Sequence, residues 1–293
     1  MKKTKIITSI YSDLYGSKFG GRVGRKDHYR FSLLSLLKMT DAVFVCYTSN
    51  HEYESLVDFF YVQNNISKDL LELKIFNLDD NDTKELINQW KNLEDVKKSD
   101  RCIEIQYMKF FWTIKELNNY ENVFWFDAGL SHSGIIPDKY LDIKNNNVAK
   151  HYYESSIFNN IFLEKLINFT ESKFLIVAKE NSRNYWSNTV NPVHFKNYNN
   201  SRHIIGGFFG GKKELWNTII YLFTKYLYKV TEHDRKLYHE EDILTLMFRN
   251  HEELFKTLEF DVWWHEDNVT KDCAPDYLIK NKSFYKALED IIS

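Results

Sequence analysis

Three consecutive aromatic residues, Phe124-Trp125-Phe126, preceded by Val123 and broken at once by Asp127-Ala128-Gly129, constrain this chain more than any other stretch. A run with no polar position cannot be a strand with one wet face. It reads instead as a strand buried on both sides, the signature of a mainly parallel sheet covered by helices. Such sheets bind ligands outside the carboxyl ends of their strands, so the first charged residue after the run, Asp127, is a candidate for chemistry.

The flanking sequence keeps the same rhythm. Residues 5–11 read as a first strand, 30–39 as a helix, 41–48 as a buried strand, 53–62 as a helix and 71–76 as a strand. Residues 77–100 are polar, with a short helix expected near 84–90. A helix over 103–117 carries Lys109 and leads by a turn into the aromatic strand. Farther on, helices are expected at 156–167, 214–229, 243–249 and 283–292, and strands at 174–178 and 258–264. The expectation is an α/β fold, with a mixed, mostly parallel central sheet flanked by helices.

Composition narrows the function classes. The formal net charge of −2 does not advertise a polyanionic partner, so nucleic acid is possible only through a local basic patch and is not favoured. Three cysteines, Cys46, Cys102 and Cys273, lack metal spacing and fit buried thiols in a reducing, cytoplasmic compartment. No apolar run reaches membrane-spanning length or forms a signal-peptide core. The 16% aromatic content supplies stacking surface for sugars or bases, but a bulky core is the more ordinary explanation.

Four further features carry chemistry. Gly20-Gly21-Arg22-Val23-Gly24-Arg25 offers backbone N–H groups and guanidinium forks to a phosphate, although it is neither a Walker loop nor a dinucleotide fingerprint. The stretch Gly206-Gly207-Phe208-Phe209-Gly210-Gly211 implies backbone passing close to something, or a tight β-bulge. His239-Glu240-Glu241-Asp242 opens a helix, where acidic residues also offset the macrodipole. His265 ends the last expected strand.

In this order the features resemble GT-A glycosyltransferases, which combine an Asp-x-Asp turn, a glycine-rich loop, an acidic helix start and a late metal-binding histidine. The segment from Lys109-Phe110-Phe111-Trp112 to Asp127-Ala128 is similar to the glycogenin-type helix and strand, and the whole order resembles the HtrL/YibB-like bacterial glycosyltransferases. The resemblance implies one Rossmann-like domain over residues 1–293, with a nucleotide-sugar half (1–130), an acceptor and catalytic half (131–267) and a tail helix (268–293). It further implies a UDP-linked or other nucleotide-sugar donor and a glycan acceptor such as lipopolysaccharide or capsule. A divalent cation, Mn²⁺ or Mg²⁺, would be held by Asp127 and His265. Lys109, Arg22 and Arg25 would face the diphosphate, Thr8, Ser9 and Tyr11 the nucleoside, and Ala128, Gly129, Gly206 and Gly207 would line the donor site. Asp242, with Glu241 second, would act as base toward the acceptor. Gly129 stands where the second aspartate of Asp-x-Asp is expected, so one carboxylate ligand is missing. Transfer to a modified DNA base or a protein, and an inactive glycan- or nucleotide-binding domain, remain alternatives.

Overall fold

The computed structural model describes residues 3–11, 25–78, 101–128, 130, 141–142, 147–148, 158–179, 192–194, 202–235, 238–260, 287–288 and 290–291. In chain order the strands are β1 (Thr4–Ile10), β2 (Ala42–Thr48), β3 (Leu71–Ile75), β4 (Asn122–Phe126), β5 (Leu141–Asp142), β6 (Asn147–Val148), β7 (Phe174–Lys179), β8 (His203–Lys212) and β9 (Phe255–Phe260). The helices are α1 (Arg25–Leu36), α2 (Asn50–Val57, continued by a π-helical turn Asp58–Gln63), α3 (Arg101–Glu116), α4 (Asn160–Phe169), α5 (Lys213–Asp234) and α6 (Glu240–Asn250).

Seven strands make one sheet in the order β3-β2-β1-β4-β8-β7-β9, while β5 and β6 pair separately. Neighbours are parallel except at β4/β8 and β7/β8, so β8 alone runs against the other six. The expected mixed, mostly parallel α/β fold is therefore present, and strands from both halves of the sequence share one sheet. The chain leaves the β3 edge and returns through α3 to β4 on the far side of β1. That reversal makes the carboxyl ends of β1 and β4 a topological switch point, where open α/β sheets form a ligand crevice. Ile7 pairs with Trp125, which puts Ser9 and Asp127 level with each other, two residues farther along.

All five residues of β4 are buried, as the aromatic run requires, because both faces of the sheet are covered. One core holds Trp125 and Phe209 against Phe110 and Trp112 of α3, Trp216 of α5 and Leu244 of α6. The other holds Phe124, Phe126 and Phe208 against Leu33 of α1, Phe60 beyond α2 and Phe162 of α4. Trp112 stacks on Tyr47 at 4.9 Å and on Trp125 at 6.1 Å between ring centres, fixing α3 against the sheet. Each such ring pair adds about 1 kcal/mol beyond its burial. Ala287, Leu288 and Ile291, in the expected tail helix, are buried in the second core.

The glycine-rich stretch corrects an expectation. Rather than a loop, it is the antiparallel strand β8. Opposite it, the β7 register jumps from Ile176↔Phe209 to Val177↔Ile205, so Gly206, Gly207 and Phe208 bulge away from β7. Gly210 has φ +149°, and a Cβ there would lie 2.5 Å from the Val123 carbonyl oxygen and 2.6 Å from Phe124 Cα. Only glycine lets the two central strands approach so closely. The expected helix near 84–90 lies outside the described residues. No helix among those described is long and apolar enough to cross a membrane.

Candidate active site

The bulge brings β8 to Asp127. The Asp127 N–H donates to the Gly207 carbonyl at 2.8 Å, extending the ladder past the end of β4. Its side chain, 34% exposed, stands at the sheet's edge beside Lys109 of α3. The Trp125 indole N–H donates to Asp127 Oδ1 at 2.7 Å, which fixes the carboxylate's orientation. Lys109 Nζ lies 3.1 Å from Oδ1 and 3.5 Å from Oδ2, leaving Oδ2 the less engaged oxygen.

Lys109 reaches three acceptors from a buried position in mid-helix. Besides Asp127, its ammonium donates to the Gly206 carbonyl at 2.9 Å and to Glu240 Oε1 at 2.8 Å. Burial alone would depress its pKa. The charges of Asp127 and Glu240 and the hydrogen bond to Glu240 outweigh that cost and push it up, so Lys109 is a fixed cation.

Glu240 is the residue the sequence reading did not select. Its side chain is 2% exposed, and burial pushes its carboxyl up to about 7 despite the opposing pull of Lys109. Its Oε2 is buried and has no hydrogen-bond partner among the described residues. A Cβ on Gly206 would come 2.4 Å from Glu240 Oε1, so this glycine leaves the space the carboxylate fills. A signal for Glu240 existed in the sequence: with Ile243, Leu244 and Met247, all buried, it forms the i, i+3, i+4, i+7 set of the inward face of α6.

The neighbouring carboxylates are committed elsewhere. Glu241 Oε1 accepts the Gly206 N–H at 3.0 Å. Burial would raise its pKa, but the His203 imidazole 3.7 Å away, the Gly206 N–H and Lys109 together hold it below the ordinary value. Asp242, expected as the base, is 4% exposed and accepts the His239 backbone N–H at 3.2 Å, capping its own helix.

Of the residues expected at the nucleoside, Thr8 is fully buried and Tyr11 is 2% exposed. Tyr11 donates to the Phe76 carbonyl at 2.8 Å and stacks on Trp112, so its ring belongs to the core. Alternation along a strand covered on both faces sends Thr8 and Tyr11 into opposite cores. Ser9 is half-buried at the same edge as Asp127. Ala128 is buried beside Asp127. Arg22, Gly129 and His265 lie outside the described residues. Arg25 begins α1, but its side chain is likewise not described.

A fixed cation, an oriented carboxylate and a close backbone approach thus meet at the switch-point edge. Such a set can counter charge on a phosphate group. A divalent cation fits it in part: Asp127 Oδ2 is an oxygen donor with a free side, suited to Mg²⁺ or Mn²⁺ that keep most of their water or phosphate ligands.

The sequence matches no protein-family model and no curated protein. Among solved structures, mouse xyloside xylosyltransferase 1 is similar at 9% identity and a TM-score of 0.48, with 86% of this chain and 84% of that chain covered. The 4-diphosphocytidyl-2C-methyl-D-erythritol synthase of Anaerococcus prevotii is similar at 10% identity and a TM-score of 0.41, with 95% and 97% covered. CMP:2-keto-3-deoxy-manno-octonic acid synthetase with CTP is similar at 10% identity and a TM-score of 0.41, with 92% and 96% covered.

Proposed function

We propose that this chain is a nucleotide-sugar-dependent glycosyltransferase of GT-A type, built as a single domain. It transfers a hexose-like sugar from a UDP-linked or related donor to a hydroxyl of a surface glycan. One observation carries the reading: the buried Lys109 ammonium, held between Asp127 and Glu240, lies at the switch point where the sheet presents its carboxyl ends.

The leaving nucleoside diphosphate gains charge as the sugar bond breaks, and Lys109, already held by Asp127, Gly206 and Glu240, offsets that charge through its fixed positive field rather than by direct contact. Asp127, held by Trp125, orients that ammonium and offers Oδ2, with His265 as a second donor, to a divalent cation. Such a cation would supply further charge neutralisation at the diphosphate. Gly207, whose missing Cβ faces Asp127 Oδ2 at 3.5 Å, leaves room for the donor beside that carboxylate, while Ser9 borders its nucleoside and Arg22 and Arg25 are assigned to its diphosphate.

Deprotonation of the acceptor falls to the Glu240-Glu241-Asp242 turn. Glu241 and Asp242 hold the Gly206 and His239 N–H groups. Glu241, whose side chain is 26% exposed against 2% for Glu240, is the carboxylate of this turn open to an acceptor, while Glu240 fixes the Lys109 ammonium. A thermal-shift screen of UDP-, GDP-, CMP- and ADP-sugars with Mn²⁺ or Mg²⁺ tests the donor class. Stabilisation by one nucleotide family, lost in Lys109→Met, is expected. Equal response to all four, or to none, counts against the reading.

A further inference from the structure

A second cluster of ligating side chains lies away from Lys109, where α5 ends. Asp234, the last residue of α5, sits beside His233 and faces His194 from the short helical turn Pro192–His194. Asp234 Oδ1 lies 2.6 Å from His233 Nδ1 and 3.2 Å from His194 Nε2, and its Oδ2 lies 3.1 Å from the same Nε2. The Tyr238 hydroxyl donates to Oδ2 at 2.7 Å. One carboxylate therefore gathers two imidazoles from segments forty residues apart in sequence.

We propose that His194, His233 and Asp234 form a binding site for a borderline divalent transition-metal ion of the Zn²⁺ class, acting as a structural clip. Two imidazoles and one carboxylate match the donor preference of Zn²⁺, Co²⁺ or Ni²⁺, and not the all-oxygen set that Mg²⁺ or Ca²⁺ prefer. The ligand atoms all lie within 4.8 Å of one another. Bonds of about 2.0–2.1 Å in a tetrahedron place donor atoms about 3.3 Å apart. The His194–Asp234 distances, at 3.1 and 3.2 Å, are already near that spacing. His233, 2.6 Å from Asp234, must retreat from that carboxylate by less than about 1 Å, and its side chain is 56% exposed with the His194 ring edge-on to it at 4.8 Å. On binding, each neutral imidazole presents to the ion the lone pair of the nitrogen that faces the carboxylate and keeps its proton on the other ring nitrogen.

Three features hold the site ready. The His194 and Asp234 side chains are only 2% and 10% exposed, so two of the three ligands are already ordered. Asn250 at the end of α6 donates to the His194 carbonyl at 3.1 Å, and Tyr238 steadies Asp234. The carboxyl end of a 22-residue helix presents the negative pole of its dipole to a cation. Solvent on the His233 side supplies the fourth ligand. The clip joins the Pro192–His194 turn to the reversal at Arg235, whose φ is +54° and which leads into α6 and Glu240.

The test uses the full chain, stripped with chelator and titrated with Zn²⁺ by calorimetry, in wild type, His233→Ala and Asp234→Asn. His233→Ala alters an exposed side chain, so its fold, checked by circular dichroism, should be intact. The expected result is one tight site in wild type, weakened at least about 10- to 100-fold in both variants, since losing a ligand costs no less than losing a ligand's supporting partner. Equal Zn²⁺ affinity in wild type and both variants, or no binding at micromolar Zn²⁺, would overturn the proposal.

Discussion

Lys109→Met removes the cation between Asp127 and Glu240 while keeping the volume and the apolar stem. Its cost should depend on pH in a way that the site's geometry dictates. Glu240 is buried at 2% exposure, and its carboxyl is raised from 4.5 to about 7. A raised carboxyl favours the folded state fully below its unfolded pKa and loses that contribution as pH rises through its folded value. From 4.5 to about 7 the wild type therefore forfeits about 3 kcal/mol. At pH 5.5 Glu240 is protonated, so removing Lys109 costs the partly exposed pair with Asp127 and a hydrogen bond to Gly206, about 1–2 kcal/mol together. At pH 8 Glu240 is ionised in the wild type, and removing its partner leaves a buried charge or forces a proton onto it, costing about 3–5 kcal/mol. Urea unfolding midpoints at both pH values measure the difference. Glu240→Gln added to Lys109→Met should recover most of the pH 8 loss and little at pH 5.5. Equal losses at both pH values, or no recovery in the double variant, would refute the claim that burial rather than the ion pair sets Glu240.

Three further substitutions probe the scaffold. Gly210→Ala should destabilise by about 3 kcal/mol or more, because the added Cβ meets backbone at 2.5 Å from a strained φ, whereas Gly211→Ala, with nearest contacts at 3.5 Å, should fall within about 1 kcal/mol of wild type in the same denaturation assay. Glu116→Gln should cost about 3 kcal/mol at pH 7, because the buried carboxylate pairs with Lys5 and accepts from Lys74 at 2.5 Å and Tyr47 at 2.6 Å. Burial would raise the Glu116 carboxyl, but hydrogen bonds from Lys5, Lys74 and Tyr47 hold it below 4.5. Its contribution is thus present above pH 4.5 and lost as pH falls through the lowered value, so the gap between variant and wild type should close in acid.

The architecture was legible because strands covered on both faces leave unbroken apolar runs. Residues 41–48 and 123–126 announce themselves in that way, and the helices between them by their spacing. The glycine stretch was harder. Its composition signals close approach, but a loop and a bulged strand share that need, and only pairing with β4 separates them. The burial of Thr8 and Tyr11 is not legible in the sequence, because strand ends in a doubly covered sheet send alternate side chains inward on both faces. Among three consecutive carboxylates, the helix phase decides which one turns inward. That phase follows from His239 at the N-cap, which puts Glu240 with the apolar set and leaves Asp242 to cap. The His194–Asp234 pairing left no sequence signal, since its partners meet only through tertiary packing.

The central claim is transfer chemistry at the Lys109–Asp127 edge, and its most direct test is turnover of isotope-labelled nucleotide-sugars. Sugar release should be measured with and without Mn²⁺ in wild type and Asp127→Ala. The account predicts hydrolysis or transfer from one donor family, reduced at least about 100-fold in Asp127→Ala, as expected for a group that orients the charge-neutralising cation. No turnover with any donor, or turnover unchanged by Asp127→Ala, would contradict it.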